Sequence, residues 1–292
     1  MRNGGDWILS KIKAHLDNIA LSHSVFALPF AYMGAILAAQ GIPKAGDVFW
    51  ITIAMVGARS AALALNNFID LKYDKIHPRF KNRPMVTGKV TPKEAILLII
   101  ISFVFFLVAV VQLNPVCLQL APLAVLPFVL YPYMKRFSWA CHLVLGLALA
   151  VAPIGGWIAI TGYLNLGIIL LGLAVGIWIA AFDVIYGCQD INFDKEQGLN
   201  SMPVRFGVDG AMRLSKIMHI ISIVSFMAVG FLLKLSVIYY FGVLMAALVL
   251  YYQHSIIKTN DLSRVTQAYF MRNGLVGISI FLCTFIDLLV RF

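Results

Sequence analysis

The chain has 292 residues, 61% of them hydrophobic and only 12% charged, with a mean hydropathy of +0.88. A water-soluble domain is about half apolar and about a quarter charged, so a cytosolic protein with one buried core is excluded and a bilayer must serve as second solvent. The net charge of +10 would suit nucleic acid in a polar protein; here it reads as basic loops facing anionic ligands or lipid, with no nucleic-acid partner.

In chain order, residues 1–21 predict an amphipathic helix on the membrane surface, with Trp7, Ile8, Ile12 and Leu16 on one side. The segment lacks the continuous apolar run and small-residue cleavage site of a signal peptide. Nine apolar runs of spanning length follow, at about 22–40, 48–69, 95–112, 116–133, 141–161, 164–184, 212–233, 235–252 and 273–290. Pro29, Pro122, Pro127 and Pro153 fall inside them and predict bends, because neighbouring helices can satisfy the freed carbonyls. The runs are too long for strands and do not alternate with polar residues. Cys117, Cys141, Cys188 and Cys283 show no paired spacing and read as small buried hydrophobes. The expected fold is an all-α, polytopic bundle of nine transmembrane helices around an intramembrane cavity, with residues 1–292 forming one domain.

The basic residues test that count. The N-terminus and the segments following spans two, four, six and eight, counted with Arg213 and Lys216 at the start of span seven, hold 19 of the 23 Lys and Arg, which predicts a cytoplasmic N-terminus and an outer C-terminus. Acidic residues are as uneven: Asp70, Asp74, Asp183, Asp190 and Asp194 sit at the cytoplasmic ends of spans two and six or just beyond. LALNNFIDLKYDK and DVIYGCQDINFDK both contain DxxxDK, displaced by 120 residues, which suggests two halves facing a shared site.

On a helix, Asn66, Asp70 and Asp74, spaced by four, form one stripe that Arg59 joins seven residues earlier. Asp183, Asp190 and Asp194 share a second face, with Tyr186 and Gln189 beside it. Carboxylates crowded at a bilayer edge repel one another and are costly to desolvate, so a cation belongs among them. Oxygen ligands without convergent His or Cys point to magnesium, which usually bridges carboxylates to phosphate. Basic groups for a phosphate stand nearby: Arg79, Lys81 and Arg83, the adjacent Lys135 and Arg136, then Lys195 and Arg205. His23, His142, His219 and His254 read as interfacial or packing residues, and His77, although in the motif loop, also falls short of a ligand.

NNFIDLKYD (Asn66 to Asp74) resembles the first aspartate-rich motif, NxxxDxxxD, of the UbiA superfamily of membrane prenyltransferases, and DVIYGCQDINFD (Asp183 to Asp194) resembles its second, DxxxYxxQDxxxD. The likeness covers nearly the whole chain. SHSVFALPFAYMGAILA, YPYMKRFSWACH and GLNSMPVRFG are further similar to the bacterial 4-hydroxybenzoate polyprenyltransferase branch, especially its futalosine-route menaquinone variants. Asn67 departs from the pattern, since many members have Asp there.

The resemblance implies a multi-pass enzyme of the inner membrane that uses Mg2+ and serves respiratory quinone synthesis. A polyprenyl diphosphate would bind with its head at the aspartates and its tail among the helices. Loss of diphosphate gives an allylic cation that the ring carbon of a small aromatic acid attacks, 4-hydroxybenzoate or alternatively 1,4-dihydroxy-6-naphthoate. It implies that Asp70 and Asp74, supported by Asn66, hold one magnesium, and Asp190 and Asp194 the other. Lys135 and Arg136 would contact the diphosphate, supplemented by Arg79 or Arg83, with Gln189 and Lys195 also among the substrate-binding residues. Asp183 would orient Tyr186 or remove the ring proton, and Arg59 would either serve structure or receive the acid's carboxylate. Membrane lipid is an expected partner and no obligate protein partner is implied. Two other classes compete. A transporter would place its acidic groups at the midplane on broken half-helices, and a lipid-headgroup transferase would carry a DGxxAR-type signature that is missing here.

Overall fold

The computed structural model describes residues 4–19, 28–263 and 265–291, without the side chains of 4–8 and 266–272. The side chains of Trp7 and Ile8, the 22–27 part of the first expected span, and His23 therefore lie outside the described residues.

Helix α1 (Gly4–Asn18) is followed by α2 (Leu28–Ala39), α3 (Ala45–Ile69) and a one-turn α4 (Leu71–Asp74). Then come α5 (Pro92–Gln112), α6 (Pro115–Met134), α7 (Cys141–Thr161) and α8 (Leu166–Gly187). A short 3-10 turn (Cys188–Asp190) leads into α9 (Ile191–Glu196), then α10 (Met202–Leu232), α11 (Val237–Ile256) and α12 (Val265–Val290). Eight of these helices are long and apolar enough to cross a membrane, and α2 adds a shorter apolar helix of 12 described residues. The chain is a multi-pass helical membrane protein, and the sole β feature among the described residues is an isolated bridge between Lys258 and Asp261.

Pro122 and Pro127 lie inside α6 and Pro153 inside α7 without ending them, whereas Pro29 stands at the start of the described part of α2. Helix α10 begins ten residues before the expected span, because Ser201 caps it through the Val204 amide and Pro203 occupies its first turn; Gly207, at φ 70°, interrupts it before the apolar stretch.

Close helix crossings set the core. A Cβ on Gly34 or Gly156 would run into the carbonyls of Pro153 and Ala31, which locks α2 to α7. The pair Gly146 and Gly176 does the same for α7 and α8. Helix α8 is buried along most of its length, and its Trp178 packs on Phe30 with ring centroids 5.4 Å apart. At the far end of α10, buried Asp287 accepts from the Ser236 amide at 3.0 Å and its hydroxyl, tying α12 to the start of α11. Helix α1 lies on the loop before α5: Ala14 packs with Met85, Val90 and Ala95, and the Lys11 ammonium donates to Glu94 at 2.8 Å and to the Lys89 carbonyl at 3.0 Å. Ile12 and Leu16 on the same helix are exposed.

Candidate active site

Both acidic motifs share one backbone design, a long helix that breaks at an aspartate and resumes as a short one. Asp70 closes α3 with φ −89°, ψ 0°, and Asp190 precedes α9 with φ −103°, ψ 4°, both in the sparsely populated bridge region. The breaks correct the reading of each motif as one unbroken helix, and they fall at helix ends rather than in mid-span. Register survives the first break, because the Asp70 amide still donates to the Asn66 carbonyl and the Asp74 amide to the Asp70 carbonyl, both at 2.9 Å.

The four motif aspartates meet: Asp70, Asp74, Asp190 and Asp194 line one cleft together with Lys135, Arg136 and His77. Each is paired with a base. Arg83 lies 2.5 Å from Asp74, Arg79 2.5 Å from Asp190, Lys135 3.2 Å from Asp194 and Arg136 3.7 Å from Asp70. The Asn66 amide donates to Asp70 at 3.1 Å. His77 reaches Asp190 at 3.3 Å and lies between the rings of Phe80 and Phe193. Asn67 has a task of its own: its amide donates to the Asn18 carbonyl at 2.5 Å while its oxygen accepts from Arg83, fastening the end of α1 to the site.

Electrostatics follow from this crowding. Burial, with Asp74 beside it, raises the Asp70 pKa to about 6 against the pull of Lys135 and Arg136. Burial also raises Asp74, with Arg83 opposing, and lowers His77. Burial works against the Lys135 ammonium, yet the carboxylates around it, Asp194 foremost, outweigh that and raise its pKa.

The cleft opens into a chamber of about 460 Å³. Its polar end carries Asp70, Asp74, Asp190, Arg83 and Lys135, while Phe30, Leu149, Val175 and Trp178 form apolar wall. Asn66, Asp183 and Tyr186 line it, and Arg59 does so about 16 Å below Asp70 along α3. Arg79 stacks over the Tyr186 ring at 4.6 Å. Two expected substrate ligands are placed elsewhere. Gln189 spends its amide on the Leu262 carbonyl at 3.1 Å, and Lys195 is exposed; neither lines the chamber or the cleft. The helix break at Asp190 turns Gln189 away from the face its spacing suggested.

Sequence reasoning missed three contributors. Asp17 and Asn18 line the chamber from α1, and His142, read as a packing residue, lines it while bonded to Asp183. A polar end on an otherwise amphipathic helix was the available signal for the first two. His142 and Asp183 are 41 residues apart and carried none.

The carboxylates available to a metal come in two pairs from two segments, with the His77 imidazole beside Asp190 as a nitrogen donor in the same cleft. Among the described residues no three His, Cys, Asp or Glu side chains close into a cage by themselves. This donor set suits magnesium, which completes its octahedron with water and phosphate rather than with protein alone.

Comparison with known proteins gives a consistent picture. The model of the UbiA prenyltransferase family matches residues 27–275. The chain is 32% identical over 245 residues to the 4-hydroxybenzoate octaprenyltransferase of Vibrio parahaemolyticus, covering 84% of this chain and 86% of that protein. It is 30% identical over 254 residues to the enzyme of the same name from Saccharophagus degradans, covering 87% and 84%. Among solved structures, a UbiA homolog from Aeropyrum pernix K1 superposes with a TM-score of 0.83 at 33% identity, over 91% of this chain and 98% of that one. A homolog from Archaeoglobus fulgidus bound to DMAPP and Mg2+ shares the fold, with a TM-score of 0.68 at 18% identity over 91% and 98%.

Proposed function

The chain belongs to the UbiA prenyltransferase family, and from that premise we propose that it moves a polyprenyl chain from its diphosphate to a ring carbon of 4-hydroxybenzoate or a closely related aromatic acid. The observation that carries the reading is the cleft that four aspartates line together, each paired with a base, above a partly apolar chamber. The benzoate acceptor is favoured over the naphthoate by the curated relatives, which are 4-hydroxybenzoate octaprenyltransferases.

In this reading the diphosphate occupies the cleft and the prenyl tail lies along the apolar wall. Lys135, Arg136, Arg79 and Arg83, already held at the cleft by their aspartates, meet the charge that grows on the leaving oxygens as the carbon–oxygen bond opens. Asp70 and Asp74 with Asn66, and Asp190 with Asp194, would hold magnesium, which adds Lewis-acid neutralisation of the departing diphosphate. Phe30, Val175 and Trp178 keep water from the allylic cation without competing as nucleophiles. Arg59, deep in the chamber, receives the carboxylate of the aromatic acid and so turns its ring toward the cation. Gln189 and Lys195 are given no part in binding. The whole chain acts as one integral domain of the inner membrane, with the cleft and the N-terminus on the cytoplasmic side and lipid around it.

The test supplies purified protein with geranyl or octaprenyl diphosphate, magnesium and a panel of aromatic acids, and identifies products by mass. The reading expects a prenylated benzoate, with diphosphate released only when donor, acceptor and metal are all present. A prenylated naphthoate alone would move the assignment to the menaquinone acceptor, and absence of any prenylated product would refute the reading.

A further inference from the structure

Outside the cleft, the chamber wall holds one buried acid–base pair that the ionisation step does not use. The His142 Nδ1 lies 2.7 Å from Asp183 Oδ2. An ionised carboxylate only accepts, so the imidazole donates from Nδ1. The two sides of the pair are unequal: the His142 side chain is 1% exposed and the Asp183 side chain 15%, and both line the chamber. The imidazole's Nε2 is buried without a hydrogen-bond partner, and Cys141 is a further side chain that acts on the ring. Its seat depends on a missing side chain, since a Cβ on Gly187 would come to 3.0 Å from His142 Cε1. The ring thereby holds Oδ2 of a carboxylate whose side chain lines the chamber.

Resting on the prenyl-transfer reading and on the second of the two roles expected of Asp183, removal of the ring proton, we propose that His142 is the residue that positions Asp183 for that step. The balance is simple. The ring C–H bond breaks, its electron pair restores aromaticity, and the proton binds the Asp183 carboxylate. It leaves to water at the cleft when product and diphosphate depart. His142 keeps its own proton throughout and acts only through Asp183, whereas the cleft aspartates engage the opposite end of the donor.

The test uses the full-length protein in detergent, the aromatic acid that the wild type accepts, and the same acid deuterated at its reacting ring position. Wild type is expected to show no isotope effect, because departure of diphosphate limits its rate. His142→Leu should lower kcat by about ten- to a hundredfold, leave the donor KM unchanged and raise the isotope effect to about twofold. His142→Gln, whose amide can donate to the same oxygen, should recover most of the rate. Asp183→Asn should show the same isotope signature, and it decides the matter alone should the leucine variant not be recovered folded. A His142→Leu or Asp183→Asn protein that slows without an isotope effect, or that loses rate only through donor KM, overturns the proposal. A wild type that forms no prenylated acid overturns the prenyl-transfer reading as well, and the missing product tells that failure from the first.

Discussion

Acidification should weaken metal binding through Asp70. Its pKa is raised to about 6, chiefly by burial and then by Asp74, so the proton and the metal compete for the carboxylate within an accessible range. With that value, about nine in ten Asp70 side chains are ionised at pH 7 and about one in ten at pH 5, so affinity should fall about tenfold between them. The Arg136 guanidinium, 3.7 Å from Asp70, opposes the rise. Arg136→Gln should therefore move the acid limb to higher pH, by up to about one unit given the partial exposure of both groups. Manganese binding to the purified protein with a diphosphate ligand, followed by electron paramagnetic resonance from pH 5 to 8, measures both effects. The ligand titrates in the same range, but alike in wild type and variant, so the difference between the two profiles isolates Asp70. Affinity that stays flat down to pH 5, or a limb that moves to lower pH in Arg136→Gln, would refute the electrostatic account.

Four further outcomes are expected. Asp194→Asn, which leaves the Lys135 ammonium without its carboxylate, should cut product formation about a hundredfold or more in a radiolabelled-prenyl assay. Asp287→Ala strands the Ser236 amide and hydroxyl and should destabilise the protein by about 1–3 kcal/mol, seen as a lower Tm in detergent with kcat nearly unchanged. Gly146→Val forces a side chain into the Gly176 carbonyl and should abolish folded yield on size-exclusion chromatography, while Gly155→Ala, with open space around it, should not. Asn67→Ala releases the Asn18 carbonyl, at a loss of about 1 kcal/mol, and should speed proteolysis within α1.

Much of this was legible in the sequence because the bilayer imposes long apolar runs and the aspartates repeat at helical spacing. Both motifs are in one cleft, as their matched DxxxDK segments suggested. What escaped depends on local backbone or on packing between distant segments. The breaks at Asp70 and Asp190 preserve the four-residue spacing near them, so a continuous helix and an interrupted one look alike in sequence. Gln189 sits within such a break, and its direction follows from backbone angles that no side-chain pattern records. The start of α10 was hidden by Arg205, Asp209 and Arg213, which dilute the apolar signal, although Ser201 and Pro203 mark it by capping chemistry. His142 reaches Asp183 only through the register of α7 on α8, which the Gly146 and Gly176 contact fixes from further along both helices.

The one-to-one matching of acids and bases at the cleft means that the resting mouth is close to electroneutral. A polyanion arriving with its counter-cations then swaps partners instead of adding net charge to a low-dielectric boundary. In the proposed reaction the same swap run backwards would help eject the spent pyrophosphate, since every side chain it abandons has a mate within reach. On that reading the cleft would work as a small ion exchanger, reset by its own salt links after each turnover.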